Sequence, residues 1–235
     1  MSEPNVALVT GANKGIGYEI AAGLGARGFR VGVAARDDAR LQEAVKTLVE
    51  KGVDAFGVLL DVASDTSVAE AAAQLSRLDV LVNNAGITGG MPQHPTGVGL
   101  DTIREVVETN VLGVIRVTNA MLPLLRRSES PRIVNMSSSV GSLTRQSAGD
   151  QGPISAAYAP SKSFLNAITV QYAKELRDTP ILINAACPGY CATDLNGHRG
   201  HRTAEQGAAI AIHLATLPDG GPTGAFYDDE GVVPW

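Results

Sequence analysis

Six short runs of continuously apolar, largely β-branched residues, at 6–10, 30–35, 55–60, 80–82, 132–136 and 181–185, alternate with stretches whose apolar residues recur at helical intervals. Runs without polar alternation belong to strands covered on both faces, so the rhythm predicts a parallel sheet with helices on either side, a doubly wound α/β fold. The helical stretches are 15–27, 38–51, 64–77, 100–126, 154–177 and a short last one at 207–217. Within 100–126, Asn110 interrupts a long apolar face, and a polar residue there needs a reason. Pro123 is expected to bend or end regular hydrogen bonding near residues 117–119. A length of 235 residues with 44% hydrophobic content suits one large core, and a single domain spanning 1–235 is predicted.

In an open parallel sheet, ligands collect beyond the carboxyl ends of the strands. The Gly- and Pro-rich loops 86–99 and 187–200 both follow strands and should border such a mouth. The first strand runs into Gly11-Ala12-Asn13-Lys14-Gly15-Ile16-Gly17, a G-x-x-x-G-x-G turn in place of G-x-G-x-x-G. The physics is shared: glycine permits positive φ and close backbone approach, so amides opening the next helix can face a pyrophosphate. About twenty residues further on, where an acid would meet a ribose 2′-hydroxyl, stands Arg36. With Lys14 it favours a 2′-phosphate and predicts NADPH over NADH; a ribose-facing Asp37 would weaken or reverse that preference.

Tyr158 and Lys162 are four residues apart, on one helical face, where the ammonium is expected to lower the phenol's pKa and make it a usable proton donor. Hydride reduction of a carbonyl needs that donor and a second one to hold the oxygen, which the run Ser137-Ser138-Ser139 can supply. Taken alone, that run is ordinary turn chemistry and Y-x-x-x-K is a chance pattern; the combination is what points to redox catalysis. Cys187 and Cys191 lack the second ligand pair of a zinc site and read as free thiols, and His198 and His201, beside Arg199 and Arg202 in a short lid, read as loop residues; no metal is expected. A formal charge of −5 without a polybasic tract disfavours nucleic acid and anionic membranes as partners, leaving a small-molecule substrate. The strand pattern beginning at Val6 leaves no room for a signal peptide, so cytoplasmic residence is expected.

From the glycine turn through Asn83-Asn84-Ala85-Gly86, Asn110, Ser138, Tyr158, Lys162 and Cys187-Pro188-Gly189 to Thr193, the chain resembles the short-chain dehydrogenase/reductase family, most closely its carbonyl reductase branch. The resemblance implies a Rossmann-type sheet with a nucleotide-binding half over about 1–110 and a catalytic and substrate half over about 110–235. It implies cofactor contacts at Gly11, Asn13, Lys14, Gly15, Ile16, Gly17, Arg36, Asp61, Val62, Asn84, Ala85, Gly86, Tyr158, Lys162, Pro188, Gly189 and Thr193. In it Asp61 binds adenine, Lys162 binds the nicotinamide ribose, and Pro188, Gly189 and Thr193 border the nicotinamide. It selects Ser138, which precedes Gly141 by three, as the serine beside Tyr158, and lets Asn110 position a water linking Lys162 to solvent.

Substrate contacts would be Ser138, Tyr158, Leu143 and Tyr190, the last where carbonyl reductases often carry Trp, with loop residues near Met91 and His94 and, less centrally, Trp235. Residues 141–153 form a longer link between Ser138 and Tyr158 than in the commonest members, so monomer and homo-oligomer both stay open. The function so implied is NADPH-dependent reduction of a ketone, aldehyde or quinone. The alternatives are an oxidatively working alcohol or hydroxysteroid dehydrogenase and a non-catalytic dinucleotide-binding regulator.

Overall fold

The structure, a computed structural model, describes residues 3–149 and 152–235; Met1 and Ser2 of the polar start, and Asp150 and Gln151 of the longer link, lie outside the described residues. The strands are β1 (Val6–Thr10), β2 (Arg30–Ala35), β3 (Ala55–Leu59), β4 (Val80–Asn83), β5 (Arg132–Met136), β6 (Leu182–Ala186), β7 (Phe226–Asp228) and β8 (Gly231–Val232). They form one sheet in the order β3-β2-β1-β4-β5-β6-β7-β8, parallel except for the antiparallel β7–β8 edge pair. The order reverses between β1 and β4, which places the crevice expected of a doubly wound sheet at their carboxyl ends. Four strand boundaries, in β3, β4 and β6, shift by a residue from the sequence reading. β7 and β8 went unread because three and two residues are too few for a pattern to show.

Alternate residues of the central strands β1, β4 and β5 enter opposite cores. From β1, Ala7 and Val9 join α1 (Gly15–Gly25), α2 (Asp38–Glu50) and α8 (Ala204–Ala215) on one face. Val6 and Leu8 join α3 (Asp65–Ala73), α5 (Gly113–Leu125) and α7 (Tyr158–Glu175) on the other. β4 and β5 divide likewise, with Val82 and Val134 on the first face and Leu81 and Ile133 on the second. Burial on both faces is why the strand sequences lack polar alternation.

The predicted helix over 100–126 is α4 (Leu100–Val107), a π-helical turn over Glu108–Leu112 and α5. Its irregularity falls at Asn110 and not at 117–119, since Pro123 lies inside a helix that continues to Leu125. The helix expected from 154 starts at Tyr158, and the link after Ser138 contains a short helix, α6 (Leu143–Ser147). Pro160 is tolerated because it is the third helical residue, where no intrahelical N–H bond is due.

Candidate active site

The glycine turn holds a cavity of about 720 Å³ at the carboxyl ends of β1 to β4, closed on one side by the segment after β6. Its lining includes Gly11, Asn13, Lys14, Gly15, Ile16, Gly17, Arg36, Asp61, Val62, Asn84, Ala85, Gly86 and Thr193. Gly11 and Gly17 are required by close contacts. Gly11 has φ +64° and a Cβ there would stand 2.9 Å from the Ala85 Cα, while a Cβ on Gly17 would stand 2.4 Å from the Asn84 Nδ2 and 2.5 Å from the Gly11 carbonyl oxygen. The two loops are stitched together: Thr10 Oγ1 accepts the Asn84 and Ala85 N–H groups at 2.9 and 3.0 Å, and Asn84 Nδ2 donates to the Thr10 carbonyl at 2.9 Å. No side chain caps α1 and no acid stands in its first turn, so its leading N–H groups and positive dipole end remain available to an anion.

Arg36 is exposed at the cavity and, among the described residues, forms no ion pair. Asp37, which also lines the cavity, caps α2 with its carboxylate, accepting the Arg40 N–H at 3.0 Å. Lys14 is bonded across the mouth to Asp194, which also accepts from His198 at 2.8 Å; these bonds hold the Asp194 carboxyl below its usual range. Asp61 accepts the Ala63 N–H at 3.0 Å, and the cap of α3 is Ser64. A cradle of glycines, an uncapped helix terminus and an unpaired guanidinium fit a phosphorylated dinucleotide.

Beyond the cavity, the end of β5 and the start of α7 bring Ser138, Tyr158 and Lys162 together. The Ser138 side chain lies close enough to the Tyr158 hydroxyl to favour its ionised form. Ser137 points inward and donates to Asn166 Oδ1 at 2.6 Å. Gly141 lets the serine turn lie on α7, for a Cβ there would stand 2.9 Å from the Lys162 Cβ. Lys162, 4% exposed, places its Nζ 5.7 Å from the Tyr158 ring centroid and donates to the Met136 carbonyl at 2.7 Å. Gly86 joins this cluster to the cavity, since a Cβ on it would be 3.7 Å from the Lys162 Nζ.

The expected lowering of the phenol's pKa is corrected. Burial pushes Tyr158 up to about 12, against a smaller opposing effect of the Ser138 side chain. Burial lowers Lys162 to about 8. Desolvation dominates both shifts, and the lysine's hydrogen bond goes to a carbonyl. Burial likewise raises the thiols of Cys187 and Cys191, which are unpaired.

Asn110, fully buried, accepts the Ile87 N–H at 2.8 Å and donates from Nδ2 to the Ile87 carbonyl at 2.9 Å and to Ser161 Oγ at 3.0 Å. Its side chain therefore pins the loop after β4 to α7. The cavity lining leaves out Pro188, Gly189, Leu143 and Tyr190 as well as Ser138, Tyr158 and Lys162. Leu143 is 67% exposed, and Tyr190, 49% exposed, packs its ring 6.1 Å from that of His201. Trp235 stacks on Phe226 at 5.7 Å.

Three supporting residues escaped the sequence reading. Asn166 and Ser161 lie on the buried face of α7, where polar residues at helical spacing from Lys162 were a usable signal. Gln93, 2% exposed in the loop 86–99, gave none.

The chain matches the short chain dehydrogenase family over residues 5–204 and belongs to it. It is 36% identical to Short-chain dehydrogenase/reductase 1 of Saponaria officinalis, covering all of this chain and 97% of that one. Among solved structures, an NADPH-bound carbonyl reductase from chicken fatty liver superposes with a TM-score of 0.86 at 29% identity, covering 100% of both chains. Salutaridine reductase from Papaver somniferum gives 0.84 at 31% identity, covering 95% of this chain and 99% of that one. The chain is thus an oxidoreductase of this family, most like its carbonyl reductase branch. Among the described residues no helix is long and apolar enough to cross a membrane.

Proposed function

We propose that this protein reduces a ketone, aldehyde or quinone to the alcohol with NADPH, using Tyr158 as the proton donor. The reading rests on one observation above the others: a hydroxyl pair, Ser138 on Tyr158, beside a buried lysine and adjoining a glycine-lined cavity. When bound, the reduced nicotinamide supplies the hydride. Ser138 holds the carbonyl oxygen and Tyr158 gives its proton to that oxygen as negative charge develops there. A phenol held near 12 stays protonated at neutral pH, which supports the reductive direction.

Lys162 carries positive charge below about pH 8 and stabilises the phenolate left after transfer. Asn110 and Gly86 keep the loop after β4 close to this lysine. Arg36 and Lys14 favour the cofactor's 2′-phosphate, with the Lys14–Asp194 pair opening to admit it. The NADPH-bound relative of the same fold supports that choice of cofactor.

The test is NADPH absorbance followed against aldehydes, α-diketones, quinones, ketoesters and steroids. Turnover of at least one class with NADPH preferred over NADH is expected; NADPH binding without oxidation by any class would remove the catalytic reading.

A further inference from the structure

We infer that Gln93 is a positioning residue for the proton donor: it caps the helix that begins with Tyr158 from the loop following β4. The inference rests on the proton-donor reading of Tyr158 and extends it to a residue outside the reacting group. Gln93 Oε1 accepts the N–H groups of Ala157 at 3.0 Å and Tyr158 at 3.1 Å, and the Ser155 hydroxyl at 3.4 Å. Its Nε2 donates to the Thr88 carbonyl at 2.6 Å, which fixes the amide orientation.

The first-turn donors of α7 can be accounted for one by one. Ala157 and Tyr158 use Gln93, Ala159 uses both the carbonyl oxygen and Oγ of Ser155, each at 3.2 Å, Pro160 has none, and Ser161 bonds the Ala157 carbonyl at 3.1 Å. Tyr158 is the first helical residue, and α7 has no side-chain cap from its own N-cap residue, Ala157. Its amide is therefore held by Gln93 alone. Without that acceptor two buried N–H groups lose their partner and the first turn frays, carrying the phenol away from Ser138. The bond from the Ala156 N–H to the Gln93 carbonyl, at 3.0 Å, does not depend on the side chain, so the loop stays docked when Gln93 is replaced.

The chemical logic is a long-range N-cap. Its consequence is that the loop bordering the mouth and the proton donor move as one body. Gln93→Met keeps the length and removes both polar ends; Gln93→Glu keeps an acceptor for the helix. With turnover normalised to the number of NADPH-binding sites, Gln93→Met should lose about 10- to 100-fold in kcat while NADPH affinity stays within about threefold. Gln93→Glu should recover to within about fivefold of the parent.

A merely structural role would lower Tm and the number of binding sites but leave kcat per site intact, and that result overturns the proposal, as does a Gln93→Glu protein no better than Gln93→Met. Should Gln93→Met yield no folded protein, Ser155→Ala, which removes the hydroxyl shared between Gln93 and Ala159, is expected to lower kcat about two- to fivefold, and no change there overturns it too. Inactive Tyr158→Phe beside fully active Gln93→Met defeats this inference alone, whereas active Tyr158→Phe defeats the reading beneath it.

Discussion

The nucleotide end and the substrate end of this molecule are built to different standards. At the nucleotide end, Thr10, Gly11, Gly17, Asn84 and Ala85 are locked by direct contacts, and Asn83 and Asn135 tie the sheet to α5 and α7 through Thr118 and Thr169. At the proposed substrate end, Leu143, Tyr190 and Met91 are apolar side chains that are 67%, 49% and 39% exposed. The first arrangement recognises a constant ligand by backbone geometry. The second leaves specificity to loops that can vary without disturbing the core.

The sharpest way to break this division is at the catalytic cluster between the two ends. Tyr158→Phe should keep NADPH affinity and lose about 10²- to 10⁴-fold in kcat, measured by NADPH oxidation and by fluorescence titration of the cofactor. Comparable turnover in that variant would remove the proton donor. At the nucleotide end, Arg36→Asp should shift the ratio of kcat/KM for NADPH over NADH by about 10- to 100-fold toward NADH, because it replaces a charge-assisted phosphate contact with repulsion. An unchanged ratio would mean that Lys14 alone reads the phosphate, once released from Asp194.

Lys162 offers a pH test with two opposite signs. Its folded pKa of about 8 lies below the 10.5 of the free side chain, so reduction should slow as pH rises through 8 and the ammonium is lost. Over the interval from 8 to 10.5 the unfolded chain holds the extra proton, and this group makes the fold more stable as pH rises. Tyr158 acts the other way only above 10, where the unfolded phenol ionises and the folded one, near 12, does not. Between pH 8 and 10 Lys162 therefore raises stability while rate falls; a rate that stays level through that range would take the lysine's charge out of the reaction.

What was legible in the sequence follows the same division. Strands buried on both faces advertise themselves by continuous apolar runs, and the glycine turn by residues that only a close backbone approach requires. Ser138 and Tyr158, distant in sequence, meet because Gly141 lets its turn lie on α7. The phenol's pKa was misjudged because sequence shows a charge four residues away but not the burial that opposes it. Gln93 was invisible for a related reason: its bonds reach residues 62 to 65 positions away, and no local pattern marks a side chain that caps another element's helix.

The smallest expected effects lie at the substrate end. Leu143→Ala and Tyr190→Ala remove exposed apolar side chains; the Tyr190 ring packs against His201, and the Tyr190 carbonyl that accepts the Arg202 N–H at 3.2 Å is kept. Their stability should stay within about 0.5 kcal/mol of the parent, and NADPH KM within about twofold. What should move is the ranking of carbonyl substrates, by about 3- to 30-fold in relative kcat/KM between a bulky apolar ketone and a small aldehyde, since one buried apolar group is worth that much in discrimination. Should the ranking hold while NADPH affinity drops, these residues would belong to the nucleotide end, and the proposed boundary between the two regions would have to be redrawn through the loop after β6.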